Sequence, residues 1–188
     1  MIHFHRCSLK CAWIAASSLV LGLASHGPAF AQTTSAAGSP PPNAIVLIDS
    51  TGKVAARALN DTIMLISVSS DVVAPALIVP IHDADGRTAS GLATWQSSGS
   101  VLFTSSDCTS GAHVYSLPYA GVRATTQVQT PAGIILYVGA IGTTSAVVVH
   151  SILYDSGCSP VTVQQNGLLP VLTAINLSTA YPPPLSFQ

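Results

Sequence analysis

Residues 133–154, GIILYVGAIGTTSAVVVHSILY, contain the two stretches that decide the fold most clearly. Gly133–Gly139 and Ser145–Tyr154 are rich in Val, Ile and Tyr, and these residue types favour extended strands over helices. A short Gly- and Thr-rich break separates the two stretches. The sequence therefore predicts two β-strands here.

Outward from these strands, short β-branched stretches alternate with turn residues along the chain. Turn signals recur about every 8–12 residues, which is typical of an antiparallel sandwich or barrel. Asp49-Ser50-Thr51-Gly52 is such a turn and predicts a hairpin between residues 44–48 and 53–57. Further strands are predicted at residues 62–68, 92–95, 101–104, 113–117, 161–164 and 171–177. We predict an all-β domain, either an antiparallel β-sandwich or a partly open β-barrel.

Two stretches fit this pattern less simply. Residues 72–81 are apolar, but Pro75 and Pro80 cannot donate hydrogen bonds to a ladder, which predicts an edge strand or irregular backbone. Residues 54–59 are the helix candidate inside the domain. No stretch of useful length shows a helical period of apolar residues.

Charge is scarce in this chain of 188 residues, which has six basic and seven acidic side chains, all seven acids being Asp. The near-neutral balance excludes a basic nucleic-acid surface. Hydrophobic residues make up 48% of the chain, which is too many for charge-driven disorder. The absence of glutamate removes a strong helix former and excludes glutamate-based zinc protease motifs.

The first 31 residues have the three parts of a secretory signal peptide. Arg6 and Lys10 make a basic start, residues 12–24 form an apolar run that we expect to be an N-terminal signal helix, and Ala29-Phe30-Ala31 fits the cleavage rule. The alternative is an uncleaved anchor, although the apolar run is shorter than a membrane span of about 20 residues. We expect cleavage after Ala31, export to the periplasm or the exterior, and no stable membrane span afterwards.

The expected mature chain has two parts. Residues 32–43 form a Ser- and Pro-rich linker, in which three consecutive prolines favour extended backbone. Residues 44–188 form a single β-rich domain.

The mature chain keeps two of the four cysteines, Cys108 and Cys158. A disulfide is the first interpretation for an even pair in an exported chain. Two free thiols and a metal-binding pair are the alternatives. No Cys-x-x-Cys motif is present, so the spacing does not indicate zinc-ribbon or thioredoxin chemistry.

Several short motifs carry a resemblance to a known group of proteins. Ile48-Asp49-Ser50-Thr51-Gly52-Lys53-Val54 is one, and Leu102-Phe103-Thr104-Ser105-Ser106-Asp107-Cys108 is another; Cys158 and Tyr181-Pro-Pro-Pro-Leu-Ser-Phe187 complete the set. In these motifs the chain resembles uncharacterised exported bacterial β-rich proteins, some of them associated with phage-like or surface genes. The resemblance implies a β-rich exported domain and assigns no catalytic residue.

One acidic stretch is a candidate ion site. Asp83 and Asp85 are two residues apart and would share a face of a strand, with His82 beside them. An Asp-x-Asp pair is half of a calcium loop, but the remaining ligands of an EF-hand are missing. The favoured interpretation is a polar hairpin turn that ends in Asp-Gly.

Other catalytic or metal chemistry has little support. His82, His113 and His150 would form a metal triad only if the fold gathered them from distant positions, and a hydrogen-bonded histidine is the commoner outcome. A Ser-His-Asp hydrolase has the residue types, but no Gly-x-Ser-x-Gly elbow or phosphate-binding glycine motif occurs. We therefore expect no enzyme activity and no cofactor.

Aromatic residues are the candidates for a ligand platform. Trp95, Tyr115 and Tyr119 are near one another in the sequence, and exposed aromatic rings often bind sugars. Core packing is the alternative role for the same rings.

These observations predict a secreted or periplasmic, non-catalytic β-domain that serves as a structural or binding module. The partner expected is a protein or glycan at the cell exterior, and not nucleic acid. A surface adhesin-like or phage-like recognition module, assembled through uncharged strand edges, is one alternative. A small secreted hydrolase is the other.

Overall fold

A computed structural model describes residues 45–116 and 122–188. The expected signal peptide, residues 1–31, and the expected linker, residues 32–43, lie outside these ranges. No helix in the described part of the chain is long and apolar enough to cross a membrane.

The described residues form twelve strands and one short helix. In chain order they are β1 (Val46–Ile48), β2 (Val54–Ala58), β3 (Ile63–Ser69), β4 (Val72–His82), β5 (Thr88–Trp95), β6 (Val101–Phe103), β7 (Ala112–Tyr115), β8 (Thr125–Thr130), β9 (Gly133–Gly139), β10 (Ser145–Tyr154), β11 (Gly157–Asn176), α1 (Leu177–Ala180) and β12 (Leu185–Phe187).

Six of these strands close into a barrel in the order β1-β12-β5-β4-β3-β2. Strands β1 to β5 follow one another as antiparallel neighbours, and β12 returns from the C-terminus to fill the gap between β1 and β5. Leu47 of β1 pairs with Phe187, and Leu185 pairs with Ala93 of β5. The C-terminal tail therefore completes the barrel and removes its two open edges.

The prediction that residues 72–81 form an edge strand or irregular backbone is wrong, because they belong to β4, which lies between β3 and β5. Its first half, from Val72 to Leu77, pairs with β3, whereas its second half pairs with β5 from Ile78 onward. Pro75 and Pro80 each fall in a half with a ladder on one side only. A proline is tolerated there because its missing N–H can face the unpaired side.

The other six strands form a second antiparallel sheet in the order β10-β6-β7-β11-β9-β8. Strand β10 also pairs with the first half of β11, so that β10, β6, β7 and β11 close on one another. Leu102, Val149 and Leu168, from three of these strands, form a buried cluster. Strand β11 pairs with β7 through Leu168–Pro170 and with β9 from Val171 to Asn176.

The main core joins the barrel to the second sheet. Leu47, Met64 and Ile66 of the barrel are buried in the same cluster as Leu136 of β9 and Leu177 of α1. The antiparallel all-β prediction is confirmed. The barrel, however, is closed rather than partly open, and it is accompanied by a second sheet.

Several predicted elements differ in detail. Residues 54–59 are not helical, because most of them form β2. The strands predicted at 161–164 and 171–177 belong mostly to one long strand, β11, and Asn176 then caps α1 by accepting from the Thr179 N–H. Strand β8 was not predicted at all.

Candidate functional site

The two cysteines of the expected mature chain are paired. Cys108, in the loop between β6 and β7, forms a disulfide with Cys158 at the start of β11, and their Cα atoms are 5.9 Å apart. The sequence-based prediction of this disulfide is confirmed. Neither sulfur is therefore available as a free thiol or as a metal ligand.

Ser151 supports the disulfide loop from β10. It is fully buried, and its Oγ accepts from the Cys108 N–H at 3.0 Å while its hydroxyl donates to the Ser105 carbonyl at 2.6 Å. Asp107 organises the same loop by accepting from the Thr109 hydroxyl at 2.7 Å. Hydrogen bonds from the hydroxyls of Thr109 and Ser105 hold the pKa of Asp107 below its usual value.

Asp49 organises the first hairpin in the same manner. Its Oδ1 accepts from the N–H and the hydroxyl of Thr51, at 2.9 and 2.7 Å, and from the Lys53 N–H at 3.0 Å. The Thr51 hydroxyl lowers the pKa of Asp49 and outweighs the opposing effect of burial. Gly52 takes the positive φ of 85° that the turn requires.

Trp95 lies in the core of the barrel. Its side chain is only 4% exposed, and its Nε1–H donates to the Tyr181 carbonyl at 2.9 Å. The Tyr181 ring packs at a tilt against the indole, and the Lys53 ammonium lies 4.4 Å from the centre of the Tyr181 ring. The buried indole offers no free face to a ligand, so Trp95 takes the core-packing role that was the alternative to a platform.

Tyr115, another aromatic candidate, lies in a different sheet from Trp95. Tyr115 ends β7 in the second sheet and is 47% exposed. Tyr119 lies outside the described residues. A ligand role for Tyr115 stays a prediction.

The candidate ion site forms the turn between β4 and β5. Asp83 Oδ1 accepts from the Asp85 N–H at 3.1 Å and from the Arg87 N–H at 2.8 Å, and Gly86 has a positive φ. His82, Asp83 and Asp85 are all exposed. This geometry fits the hairpin turn favoured from the sequence, and no group of three potential metal ligands occurs in the described ranges.

The three histidines stay apart on different strands. His82 ends β4, His113 lies in β7 and His150 in β10. His113 Nδ1 is 2.8 Å from the Gly111 carbonyl. Within the described residues, 45–116 and 122–188, no histidine side chain forms a hydrogen bond with a serine or an aspartate.

An apolar cleft with a volume of about 590 Å³ opens at one mouth of the barrel. Strands β2, β4 and β12 end at this mouth, and β1, β3 and β5 begin there. The lining residues come from β2, β4, β5 and β12, from the turn between β2 and β3 and from the residue before β1: Ile45, Ala58, Leu59, Asn60, Asp61, Pro80, Ala89, Gly91, Leu92 and Phe187. Mouths of β-barrels are among the preferred positions of ligand sites.

The rim of this cleft has one charged side chain, that of Asp61. Asn60 beside it holds the turn in place, because its Oδ1 accepts from the Thr62 N–H at 2.9 Å and from the Ile63 N–H at 2.7 Å. Leu59 and Ile45 present large apolar side chains that are 57% and 56% exposed. The cleft therefore combines an aliphatic surface with a single carboxylate.

Sequence reasoning did not find this cleft. Its residues are distant in sequence, and the pairing of β12 with β1 is what brings Phe187 to Ile45. The available signal was local only: large apolar residues directly beside polar turn residues at Leu59-Asn60-Asp61.

A second cleft, of about 460 Å³, is lined by residues of the barrel and of the second sheet. Asp71 and Arg123 give it opposite charges, and Val73, Ile141 and Leu169 contribute apolar surface. The Arg123 guanidinium is 3.5 Å from the Gly139 carbonyl. This cleft is more polar and smaller than the one at the barrel mouth.

Comparison of the chain with protein-family models, with curated proteins and with solved structures finds no match. The assignment of function therefore depends on the geometry of the chain itself.

Proposed function

We propose that this chain is an exported, non-catalytic β-domain that acts as a structural or binding module at the cell exterior. The observation that carries the proposal is the use of the carboxylates. Asp49, Asp83 and Asp107 each accept backbone N–H groups within their own turns. Acid–base catalysis instead needs carboxylates that face a common substrate.

Asp155 has a comparable structural role between distant elements. Its Oδ1 accepts from the Ser97 hydroxyl at 2.6 Å and from the Gln129 N–H at 2.8 Å. It thereby connects the turn between β10 and β11 to β8 and to the segment after β5. This commitment of acids to loop architecture supports a role in which the scaffold presents a surface.

Export is supported by the disulfide together with the signal-like N-terminus. Disulfides persist in oxidising compartments and are rare in the cytosol of most organisms. The cleft at the barrel mouth supports the binding role, because it is open and largely apolar.

Expression of the full chain in a bacterial host tests the export half of the proposal. We expect the periplasmic protein to begin at Gln32 and to be about two mass units lighter before reduction than after it, because a disulfide lacks two hydrogens. Intact mass measurement reports both properties. A cytoplasmic protein that retains Met1 and in which Cys108 and Cys158 are free thiols would contradict export.

Crosslinking in the intact cell envelope tests the binding half. We expect the wild-type chain to capture a protein or glycan that an Ala89→Trp variant, with the cleft filled, captures less well. Asp85→Asn, a substitution in the neighbouring turn outside the cleft lining, is the matched control. Chemical turnover of the captured partner would contradict the non-catalytic role.

A second candidate function, an adhesin-like module assembled from several copies, is favoured by one edge of β11. Residues 171–176 pair with β9 on one side, and no other strand of the described part pairs with them on the opposite side. Asp155 is the last charged residue of the chain, so this edge lacks the charges that commonly prevent strand pairing. Leu172 is 53% exposed.

Sedimentation velocity over a range of concentrations tests this candidate. We expect reversible self-association that Leu172→Lys abolishes, since a lysine on an edge strand opposes pairing. Val54→Lys, at an exposed apolar position of the closed barrel, is the matched control and is expected to leave association unchanged. A strictly monomeric wild type would refute assembly by this route.

A further inference from the structure

The two ends of the closed barrel differ. One end is filled, because Trp95 and Tyr181 pack there and Leu136 and Leu177 of the neighbouring elements join the same core. The other end is the open cleft of about 590 Å³. Its volume lies within the range of about 300–1,000 Å³ that is typical of small-molecule sites.

The lining of the open end is aliphatic rather than aromatic. Leu59 and Ile45 are exposed, Leu92 is half-buried, and Phe187 is the aromatic side chain of the lining. Sugar rings bind best against exposed aromatic faces and several hydrogen-bonding side chains. The lining of this cleft has one aromatic residue, Phe187, and two polar side chains, those of Asn60 and Asp61. A flexible aliphatic chain is the complementary shape and chemistry, because it buries apolar surface that both partners otherwise expose to water.

The charge at the cleft is negative. Asp61 is the charged lining residue, and it is exposed. The Asn60 side chain anchors the turn and accepts three hydrogen bonds, from Thr62 and Ile63, which keeps Asp61 at the rim. An aliphatic ligand with a positive group would place that group beside this exposed carboxylate.

We propose that the open mouth of the barrel binds a cationic amphiphile, a small molecule with an aliphatic body and an ammonium or similar head. The aliphatic body packs on Leu59, Ile45 and Phe187, and the head lies against Asp61. This inference rests on the proposed binding role and names the ligand class for it.

Isothermal titration of the exported chain with three decyl probes of equal chain length tests the proposal. The probes are decyltrimethylammonium, decyl sulfate and decyl maltoside, each used below its micelle concentration. We expect saturable binding of one decyltrimethylammonium per chain, with the anionic probe several-fold weaker and the neutral probe between them. Equal affinity for all three probes, or no saturable binding of the cation, would overturn the proposal.

Three variants assign the binding to this cleft. Asp61→Asn should weaken the binding of the cationic probe about two- to fivefold, the range expected for loss of an exposed ion pair. The affinity for the neutral probe should stay unchanged. Ala89→Trp should weaken all probes at least tenfold by filling the cleft. Leu59→Lys, at an exposed position that does not endanger folding, should selectively weaken the cation. Wild-type affinities in all three variants would place the binding elsewhere and overturn the proposal.

Asp85→Asn is the control for charge, because Asp85 is exposed in the next turn and does not line the cleft. It should bind all three probes like the wild type, and a loss equal to that of Asp61→Asn would overturn the assignment to Asp61. If the chain captures an envelope partner but does not bind the decyl probes, this inference is overturned and the proposed binding role is left intact.

Discussion

At the scale of the residue, Ser151 shows how a buried hydroxyl stabilises a loop that carries no regular structure. It satisfies two backbone groups at once, the Cys108 N–H and the Ser105 carbonyl. Cys108 needs this support because it has a positive φ of 56°, which is unusual for a residue with a side chain. The hydrogen bonds thus hold the cysteine where it meets Cys158.

Ser151→Ala should lower the free energy of unfolding by about 1–3 kcal/mol, because it leaves the part-buried Cys108 N–H and Ser105 carbonyl without this partner. Urea denaturation monitored by far-ultraviolet circular dichroism measures this change. Ser156→Ala, at an exposed position of the next turn, is the control and should stay within about 0.5 kcal/mol of the wild type. Equal effects of the two substitutions would contradict the role given to Ser151.

The carboxylates of Asp49 and Asp107 predict how stability depends on pH. Hydroxyl donors, Thr51 for Asp49 and Thr109 for Asp107, lower both pKa values below the usual 3.8 in the folded chain. A lowered folded pKa stabilises the fold above the unfolded pKa, and this contribution is lost as the pH falls through the folded value. The free energy of unfolding should therefore decline below about pH 4.

The double variant Asp49→Asn/Asp107→Asn tests this dependence. An asparagine oxygen can still accept the turn hydrogen bonds, but it does not titrate. Urea midpoints measured between pH 6 and pH 2 should fall less steeply for the variant than for the wild type. Parallel curves would show that these two carboxylates do not produce the acid sensitivity.

At the scale of the element, Gln127 joins β8 of the second sheet to β4 of the barrel. Its side chain is 1% exposed; its Oε1 accepts from the Leu77 N–H, and its Nε2 donates to the Leu77 carbonyl at 3.1 Å. The Thr125 hydroxyl donates to the Pro75 carbonyl at 2.9 Å nearby. Side chains of β8 therefore satisfy the half of β4 that has no ladder toward β5.

Gln127→Leu should lower the free energy of unfolding by about 1–3 kcal/mol, because the part-buried Leu77 N–H loses its partner, whereas the Leu77 carbonyl keeps the hydrogen bond from the Gln96 N–H. Chemical denaturation gives the value. Gln164→Leu, on the exposed half of β11, is the matched substitution and should have little effect. If both variants are equally stable, the side-chain amide does not hold the two sheets together.

At the scale of the whole molecule, closure of the barrel depends on its last strand. Leu185 of β12 is fully buried in the main core, next to the pairing of Ser186 with Ile48 and Leu92. β1 and β5 therefore keep open edges until β12 pairs between them. Such contacts between distant parts of a sequence make folding slow compared with local pairing.

Leu185→Ala should destabilise the protein by about 2–5 kcal/mol, the range found for a buried leucine replaced by alanine. Thermal and urea unfolding of the exported chain measure the loss. Leu172→Ala removes the same atoms from a side chain that is 53% exposed and should cost far less. A Leu185→Ala variant as stable as the Leu172→Ala variant would contradict the role of β12 in the core.

Local patterns predicted the elements whose signals are local. The hairpin around Asp49, the strands β9 and β10 and the pairing of the two cysteines follow from turn residues, β-branched runs and an even cysteine count. Strand β8, TTQVQT, was missed because it is polar, and the side chain of the buried Gln127 finds its hydrogen-bond partners on Leu77, which is distant in sequence.

The sequence by itself determined the all-β class, the positions of most turns and the disulfide, because backbone preferences and cysteine chemistry act over a few residues or one bond. The tertiary structure alone decided that the barrel closes, that β4 shares its ladder between two neighbours and that Leu59, Asp61 and Phe187 meet at one mouth. Alternation along a strand states which face is buried but not which strand lies beside it. Which strands pair with one another depends on the packing of the complete core, and the candidate site forms as a result of that pairing.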